Sequence, residues 1–451
     1  MVPPCVRAEG ERGVIALTLD EVRSLAPGKL RTAKGAERVT GVKVDSRTVE
    51  EGDLFVAVGR GSDYVEEALA GGAAAALVPD DAFTALAALA REVRSRSAAR
   101  VVAVTGSTAK TSTKDIIGAL CAPHARTVVA EGSQNNEIGL PLTLCRIEED
   151  TEIVVLEMGM RGLGQIAQLC DTARPDVGVI TKIGPVHLEL LGTVERVAQA
   201  KAELIEALPP GGTAVVPAGE QYLDPYLWRD DISVIRFGEG GDVSLAYFSA
   251  HGESSRLKVN AFGRSLTLEF SFSSRYNATN ALAALAAYHA LGLPLSKAQK
   301  GARKVQLSRW RGEELPLPGR GVLINDCYNA NPISVVAALE NLVERAAGKR
   351  TVAVLGDMAE LGPGASSYHR EVGAVASRLG LDALVAVGGL ARAYLDGARG
   401  VPVTRYAPTV EQGLAAVREV LAPGDYVLVK GSRAMGLEVI GEAVAVVPVA
   451  R

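Results

Sequence analysis

From Arg100 onward, short runs of Val, Ile and Leu alternate with stretches of helical period, and this alternation leaves few folds open. The order is RVVAVTG, TKDIIGALCA, EIVVLEMG, GQIAQLCDTA and VGVITKIG. Such a succession predicts βαβ units and a parallel sheet. Residues 233–272 alternate more tightly (VSLAYFSA, RLKVNAFG, SLTLEFSF), which predicts an antiparallel patch on the same domain. YNATNALAALAAYHALGL is alanine-rich and helical. A further α/β pattern starts near Gly312, where GVLINDCY, RTVAVLGDMAELG, ALVAVGG and DYVLVKGS read as strands running into loops, with helices between them. Before Ala99 the texture differs. GVKVDSRTVEEGDLFVAV reads as strand, loop, strand, and EEALAGGAAAALVP as a small helix and a strand, with the charged stretch REVRSRSAAR suiting a boundary. At about 150 residues per domain, 451 residues suit three domains. The expected division is 1–99, 100–311 and 312–451. The expected fold class is α/β, with a central P-loop-type parallel-sheet domain and a C-terminal Rossmann-like domain.

Composition narrows the setting. Hydrophobic residues make up 48%, much of it Ala and Val, and aromatics only 4%, which suits a globular chain with small-residue helix packing. The formal net charge of −4 carries no long run of one sign, so neither a nucleic-acid surface nor a basic membrane face is expected. No stretch of about 18 apolar residues argues for membrane insertion. Cys5, Cys121, Cys145, Cys170 and Cys327 form no CxxC pair and read as reduced thiols. The start, MVPPCVRAEGERG, lacks a signal-peptide pattern. A cytoplasmic monomer is expected.

The strand RVVAVT runs into GSTAKTSTK and then a helix. Strand, tight loop and helix start are what a triphosphate needs, since backbone N–H groups and the helix N-terminus face the anion. The loop residues are Gly106, Ser107, Thr108, Ala109, Lys110, Thr111 and Ser112. Lys110 would neutralise the β/γ-phosphates and Thr111 would offer its hydroxyl to Mg²⁺. The consensus GxxxxGK[ST] is not met, because Val104 and Ala109 stand at its glycine positions. The same letters also describe a polar strand-to-helix turn with an N-cap.

Downstream, EIVVLEMG puts Glu157 at the C-terminal end of a hydrophobic strand, where ligands of open α/β sheets gather. It could hold Mg²⁺, or cap the next helix. His187, one of five histidines, stands similarly one strand on and could be a ligand or a satisfied surface residue. Lys201 sits in VERVAQAKAELIEAL, where periodicity alone reads a solvated helix face.

Nine stretches, in order from Asp45 to Glu438, resemble the Mur ligase family. They are DSRTVEEGDLFVAV, TGSTAKTSTKD, NNEIGLPLTL, LEMGMRGLGQI, VGVITKIGPVHLELLGTVERVAQAKAEL, YNATNALAA, INDCYNANPISVVAAL, VLGDMAELG and KGSRAMGLE. YNANP and LGDMAELG resemble the branch that adds D-Ala-D-Ala. The resemblance implies ATP-dependent ligation of UDP-MurNAc-tripeptide and D-Ala-D-Ala through an acyl phosphate, with two Mg²⁺ ions. It makes Lys110 and Thr111 the phosphate loop, Glu157 and His187 metal ligands, and Lys201 a carbamylated lysine that also binds metal. Asn277 and Asn280 would lie near adenine, and Arg309 near the arginine that reaches the phosphates. Asp326 would hold the ribose, with Tyr328, Asn329 and Asn331 beside it. Ser46 and Arg47 would meet the UDP part, and Asn135, Asn136, Lys430 and Ser432 the substrate side. Asp326 and the phosphate loop would then belong to different domains, so reaction implies closure about a hinge near Arg309–Glu314.

The chain departs from the family pattern at Ala109, Lys182, Ser274, Tyr276 and Asn325, and GRGSDYVEEAL replaces a DGHDF-like stretch. Two alternatives stay open beside the ligase. One is another Mur or folylpolyglutamate-type ligase; the other is a nucleotide-binding paralogue without chemistry. A P-loop kinase or motor ATPase ranks last.

Overall fold

The structure is a computed structural model that describes residues 13–445; Cys5 and all but the last residue of MVPPCVRAEGERG lie outside that span. The alternation beginning at Arg100 builds a nine-stranded sheet. Its parallel part runs Thr127–Val129, Ile153–Glu157, Arg100–Thr105, Val177–Ile180, Thr213–Pro217, Ser233–Phe237. Register pairs Val104 with Glu157 and Thr105 with Ile180, so three strands end level at the C-terminal edge. There the chain can present side chains to a ligand. The strands Val243–His251, Ser254–Ala261 and Arg264–Phe270 follow as an antiparallel meander. Ser254–Ala261 is exposed and buried at alternate residues, as a strand with one wet face must be.

The antiparallel patch expected over 233–272 therefore begins only at Val243. Ser233–Phe237 is parallel to Thr213–Pro217, because the chain between them crosses over through the turn Gln221–Tyr226 instead of reversing tightly. The alanine-rich segment forms the helix Arg275–Ala290, buried along most of its length and packed on the phosphate-loop helix Lys110–Cys121. Small side chains let the two helices approach, and Leu282 and Leu285 are buried in the same core as Ile116, Ile117 and Leu120. Truncating such a buried leucine costs about 2–5 kcal/mol.

A four-stranded sheet precedes this unit, in the order Gly28–Thr32, Ala75–Pro79, Asp53–Val56, Gly41–Lys43. The helix Ala82–Ser95, capped by Asp81 on Thr84 N, takes in the start of REVRSRSAAR before the central sheet begins. A six-stranded sheet follows, in the order Glu313–Leu317, Gly321–Asn325, Tyr426–Lys430, Thr351–Gly356, Ala383–Val387, Val403–Ala407. Only its first strand is antiparallel to its neighbour. Three of its strands are buried at every residue, with an apolar core on each face, as a parallel sheet covered by helices on both sides requires. The C-terminal edges of the six- and nine-stranded sheets line one shared cavity of about 350 Å³.

Candidate active site

The phosphate loop is fixed by its neighbours. Thr105 Oγ1 donates to Met158 O at 2.8 Å, and Thr181 Oγ1 donates to Thr108 O at 2.6 Å. Gly106, at φ 148, sits where a Cβ would come within 2.0 Å of Thr181 Oγ1. Ser107 Oγ donates to Gly184 O at 3.1 Å and accepts from Gly184 N at 3.0 Å. The helix Lys110–Cys121 then starts without a side-chain cap. Its first N–H groups, with the positive end of its dipole, make an anion site. Ser107 through Ser112 line the cavity, and Gly106 does not.

Ala109 adopts the left-handed conformation, φ 65 and ψ 3. For a residue with a Cβ this costs about 1–2 kcal/mol, which glycine would not incur. Ala109→Gly is therefore expected to raise stability by about 1 kcal/mol in urea unfolding, with nucleotide binding retained. An unchanged or lower stability would mean that the strain is relieved elsewhere.

Glu157 is 1% exposed at its strand end. Its Oε1 accepts from Asn135 Nδ2 at 2.7 Å, while Oε2 is buried with no partner. An ionised oxygen in that state is costly unless a cation meets it. With the Thr111 hydroxyl on the same cavity wall, the donors are oxygens, which suits Mg²⁺. Lys110 Nζ donates to Gly106 O at 3.0 Å. Burial lowers its pKa, opposed by the charge of Glu157.

Lys201 departs from the periodicity reading. It is 1% exposed rather than solvated, on the buried side of the helix Val194–Glu206. It has no hydrogen-bond or ion-pair partner among the described residues, and burial, reinforced by Lys110, drives its pKa well down. Such an amine is charged more readily in the unfolded chain, so its burial penalty is full below its folded pKa. The penalty fades as pH rises toward the ordinary lysine value of about 10.4. In carbonate-free buffer Lys201→Met should thus melt above the wild type near pH 7, and the gap should narrow with rising pH. A gap that widened would contradict the burial argument.

His187 has φ 53, and its Nδ1 lies 2.5 Å from Glu360 Oε2. Burial lowers its pKa, with Glu360 opposing and the charges of Lys201 and Lys110 adding to the fall.

The far wall comes from the six-stranded sheet. Asp326 and Lys430 follow and end adjacent strands, and their buried ion pair is 2.6 Å long. Lys430 also donates to Asn329 O at 3.0 Å. Asn331 caps the helix Pro332–Ala346 and donates from Nδ2 to Ser107 O at 3.2 Å, tying the two domains. Tyr328 hydrogen-bonds to Ser133 across the same gap. Ile333 packs on Gly184, where any Cβ would meet Ile333 Cδ1 at 2.1 Å. Asn280 lines the cavity, whereas Asn277 stands behind it, accepting from Asn280 and donating to Ser274 Oγ.

Arg309 is not brought to this cavity. Its side chain is 70% exposed, pairs with Glu442 and lies over Trp310. Arg311 enters instead: Nη2 donates to Thr111 Oγ1 at 2.8 Å, and the guanidinium stacks 3.9 Å from the Tyr328 ring centre. Asn136 Oδ1 accepts from Gly139 N, the first residue of the short helix Gly139–Leu144, and Ser432 accepts from Ala359 N; neither lines the cavity. Ser46 pairs with Glu67, and Arg47 with Asp45. Their loop borders a second cavity of about 410 Å³ between the first sheet and the segment Glu131–Glu148.

Comparison with known proteins places this geometry in a family. The Mur ligase middle domain matches residues 104–288, and the Mur ligase glutamate ligase domain matches residues 311–433. The chain belongs to the Mur ligase family. The Mur ligase is 34% identical to UDP-N-acetylmuramoyl-tripeptide--D-alanyl-D-alanine ligase of Bacillus subtilis strain 168, covering 95% of this chain and 98% of that one. The enzyme of the same name from Escherichia coli K12 is 32% identical over the same shares. MurF from Acinetobacter baumannii superposes with a TM-score of 0.84 at 27% identity, covering 96% and 99% of the two chains. MurF from Thermotoga maritima in complex with ADP gives 0.77 at 29%, covering 89% and 96%. The α/β architecture expected from the sequence is the one these structures share.

Proposed function

We propose that this Mur ligase joins D-Ala-D-Ala to UDP-MurNAc-tripeptide, consuming ATP and releasing ADP and phosphate. The observation that carries the proposal is the orphaned Oε2 of Glu157, buried opposite the phosphate loop in a cavity that two domains complete. The similarity to the D-alanyl-D-alanine ligases supports the choice of substrates.

In this reading the loop N–H groups of Thr108–Ser112 hold the ATP phosphates, while that of Ser107 is engaged by Lys182 O; Asn280 with Asn277 behind it stands at the adenine end, and Asp326 meets the ribose. Glu157, Thr111, His187 and a carbamylated Lys201 would hold two Mg²⁺ ions. A neutral, buried lysine amine is the form that reacts with CO₂. When bound, the ions supply Lewis-acid stabilisation of charge gathering on the phosphates. A carboxylate oxygen of the tripeptide attacks the γ-phosphorus as the bond to ADP breaks, which turns a poor electrophile into an acyl phosphate. Lys110 and Arg311 stabilise the charge on the transferring phosphoryl group. The dipeptide amine then attacks the acyl carbon, the C–N bond forms, phosphate leaves with its electron pair, and the amine proton passes to solvent.

The domains 1–99, 100–311 and 312–451 would take the UDP part, ATP, and the dipeptide side. Ser46 and Arg47 would meet the UDP part from the loop whose Asp45 and Thr48 line the second cavity, and Lys430 and Ser432 would serve from the third domain. Closure would turn on the linker Arg309–Glu314. The protein would act as a cytoplasmic monomer; no helix among the described residues is long and apolar enough to cross a membrane.

Phosphate release from Mg-ATP tests this, with each substrate added singly and together. Release is expected only with both. Release with neither, or none despite tight ATP binding, would favour a general ATPase or a non-catalytic paralogue. Faster turnover with another amine in place of D-Ala-D-Ala would favour a sister ligase.

A further inference from the structure

Two residues with side chains face each other in the left-handed region of backbone space: His187 at φ 53 and Glu360 at φ 62. Such conformations cost about 1–3 kcal/mol each and persist where surrounding structure enforces them. Glu360 lies in the loop after the strand Thr351–Gly356, and that loop is pinned from behind. Met358 N donates to His369 Nε2 at 2.9 Å, and Ala359 N donates to Ser432 Oγ at 2.9 Å. Glu360 is thereby presented across the domain gap.

Its carboxylate spans two loops of the central domain. Oε2 meets His187 Nδ1 at 2.5 Å, in the loop after Val177–Ile180. Oε1 lies 3.5 Å from Arg161 Nε, in the loop after Ile153–Glu157. The Glu360 carbonyl accepts from Glu189 N at 3.4 Å. These are the two loops that follow the strands leading to Glu157 and His187.

We infer that Glu360 is a positioning residue that makes closure of the third domain and orientation of His187 a single event. A carboxylate accepting from Nδ1–H fixes the imidazole tautomer and leaves Nε2 as the lone-pair nitrogen. His187 stands in the same loop as Thr181 and Gly184, which bond to Thr108 and Ser107 of the phosphate loop, while its own ring is not among the residues that line the cavity. Withdrawal of the third domain removes Glu360, and His187 loses its orienting partner. The inference rests on the proposed role of His187 as a metal ligand.

Mn²⁺ titration of the full-length chain with ADP, read by electron paramagnetic resonance, tests it without turnover. Glu360→Ala is expected to weaken Mn²⁺ binding about 10–100-fold. Glu360→Gln is expected to recover most of that loss, because its amide oxygen accepts the same N–H. Gly184→Val, which wedges Ile333 away, is expected to weaken Mn²⁺ binding as Glu360→Ala does. The inference is overturned if Glu360→Ala or Gly184→Val binds Mn²⁺ like the wild type while His187→Ala binds it weakly. If His187→Ala also binds like the wild type, the metal role of His187 fails first, and the inference with it.

Discussion

Glu157→Gln is expected to lower turnover by roughly 10³-fold while leaving the fold intact. The substitution keeps the shape of the side chain, and the bond from Asn135 Nδ2 to Oε1 can persist. What it removes is the charge on Oε2, the buried atom that has no partner. An amide there turns hydrogen-bond donors toward the place where a cation would sit. The free protein should be no less stable, and melting should confirm this, because a neutral amide is cheaper to bury than an unpaired carboxylate. Single-turnover formation of the acyl phosphate is the measurement. Near-normal turnover in Glu157→Gln would mean that the orphaned oxygen has no part in holding metal.

Gly184→Val is expected to cost about 10²-fold in turnover with ATP binding largely retained. A single added methyl would meet Ile333 Cδ1, which can rotate away, so alanine is a mild test. Valine adds a branch that a rotamer change cannot accommodate, and it holds the helix Pro332–Ala346 off the phosphate loop. Asp326, Tyr328 and Asn331 then retreat together, because they sit just ahead of that helix. The loop Ser107–Ser112 and Asn280 belong to the central domain and stay in place. Ile333→Ala should restore much of the loss in the double variant, which separates a steric wedge from damage to Ser107. Absence of rescue would place the effect in the loop itself.

What could be read from the sequence was local. The phosphate loop needs only a strand, a bend and a helix start within a few residues, and Ala109 could be singled out because it stands at a glycine position of the loop consensus. The strand ends carrying Glu157 and Asp326 were legible for the same reason. Lys201 was not, since its helix carries acids around it and its burial depends on what packs there. Arg309 and Arg311 both stand in SRWRGE, and only the path of the linker, with Trp310 at φ 59 between them, decides which guanidinium turns inward. Glu360 lay inside LGDMAELG, yet its contact with His187 joins residues 173 apart in sequence, beyond any local pattern. Ser233–Phe237 looked antiparallel because alternation reports one wet face, not strand direction.

The most direct test of the central claim follows oxygen. UDP-MurNAc-tripeptide carrying heavy oxygen in its terminal carboxylate would be turned over with ATP and D-Ala-D-Ala, and the released phosphate analysed by mass spectrometry. Ligation through an acyl phosphate predicts one labelled oxygen in the phosphate and one retained in the new amide. Unlabelled phosphate, with both labelled oxygens still on the tripeptide, would contradict it and leave a nucleotide hydrolase in place of a ligase.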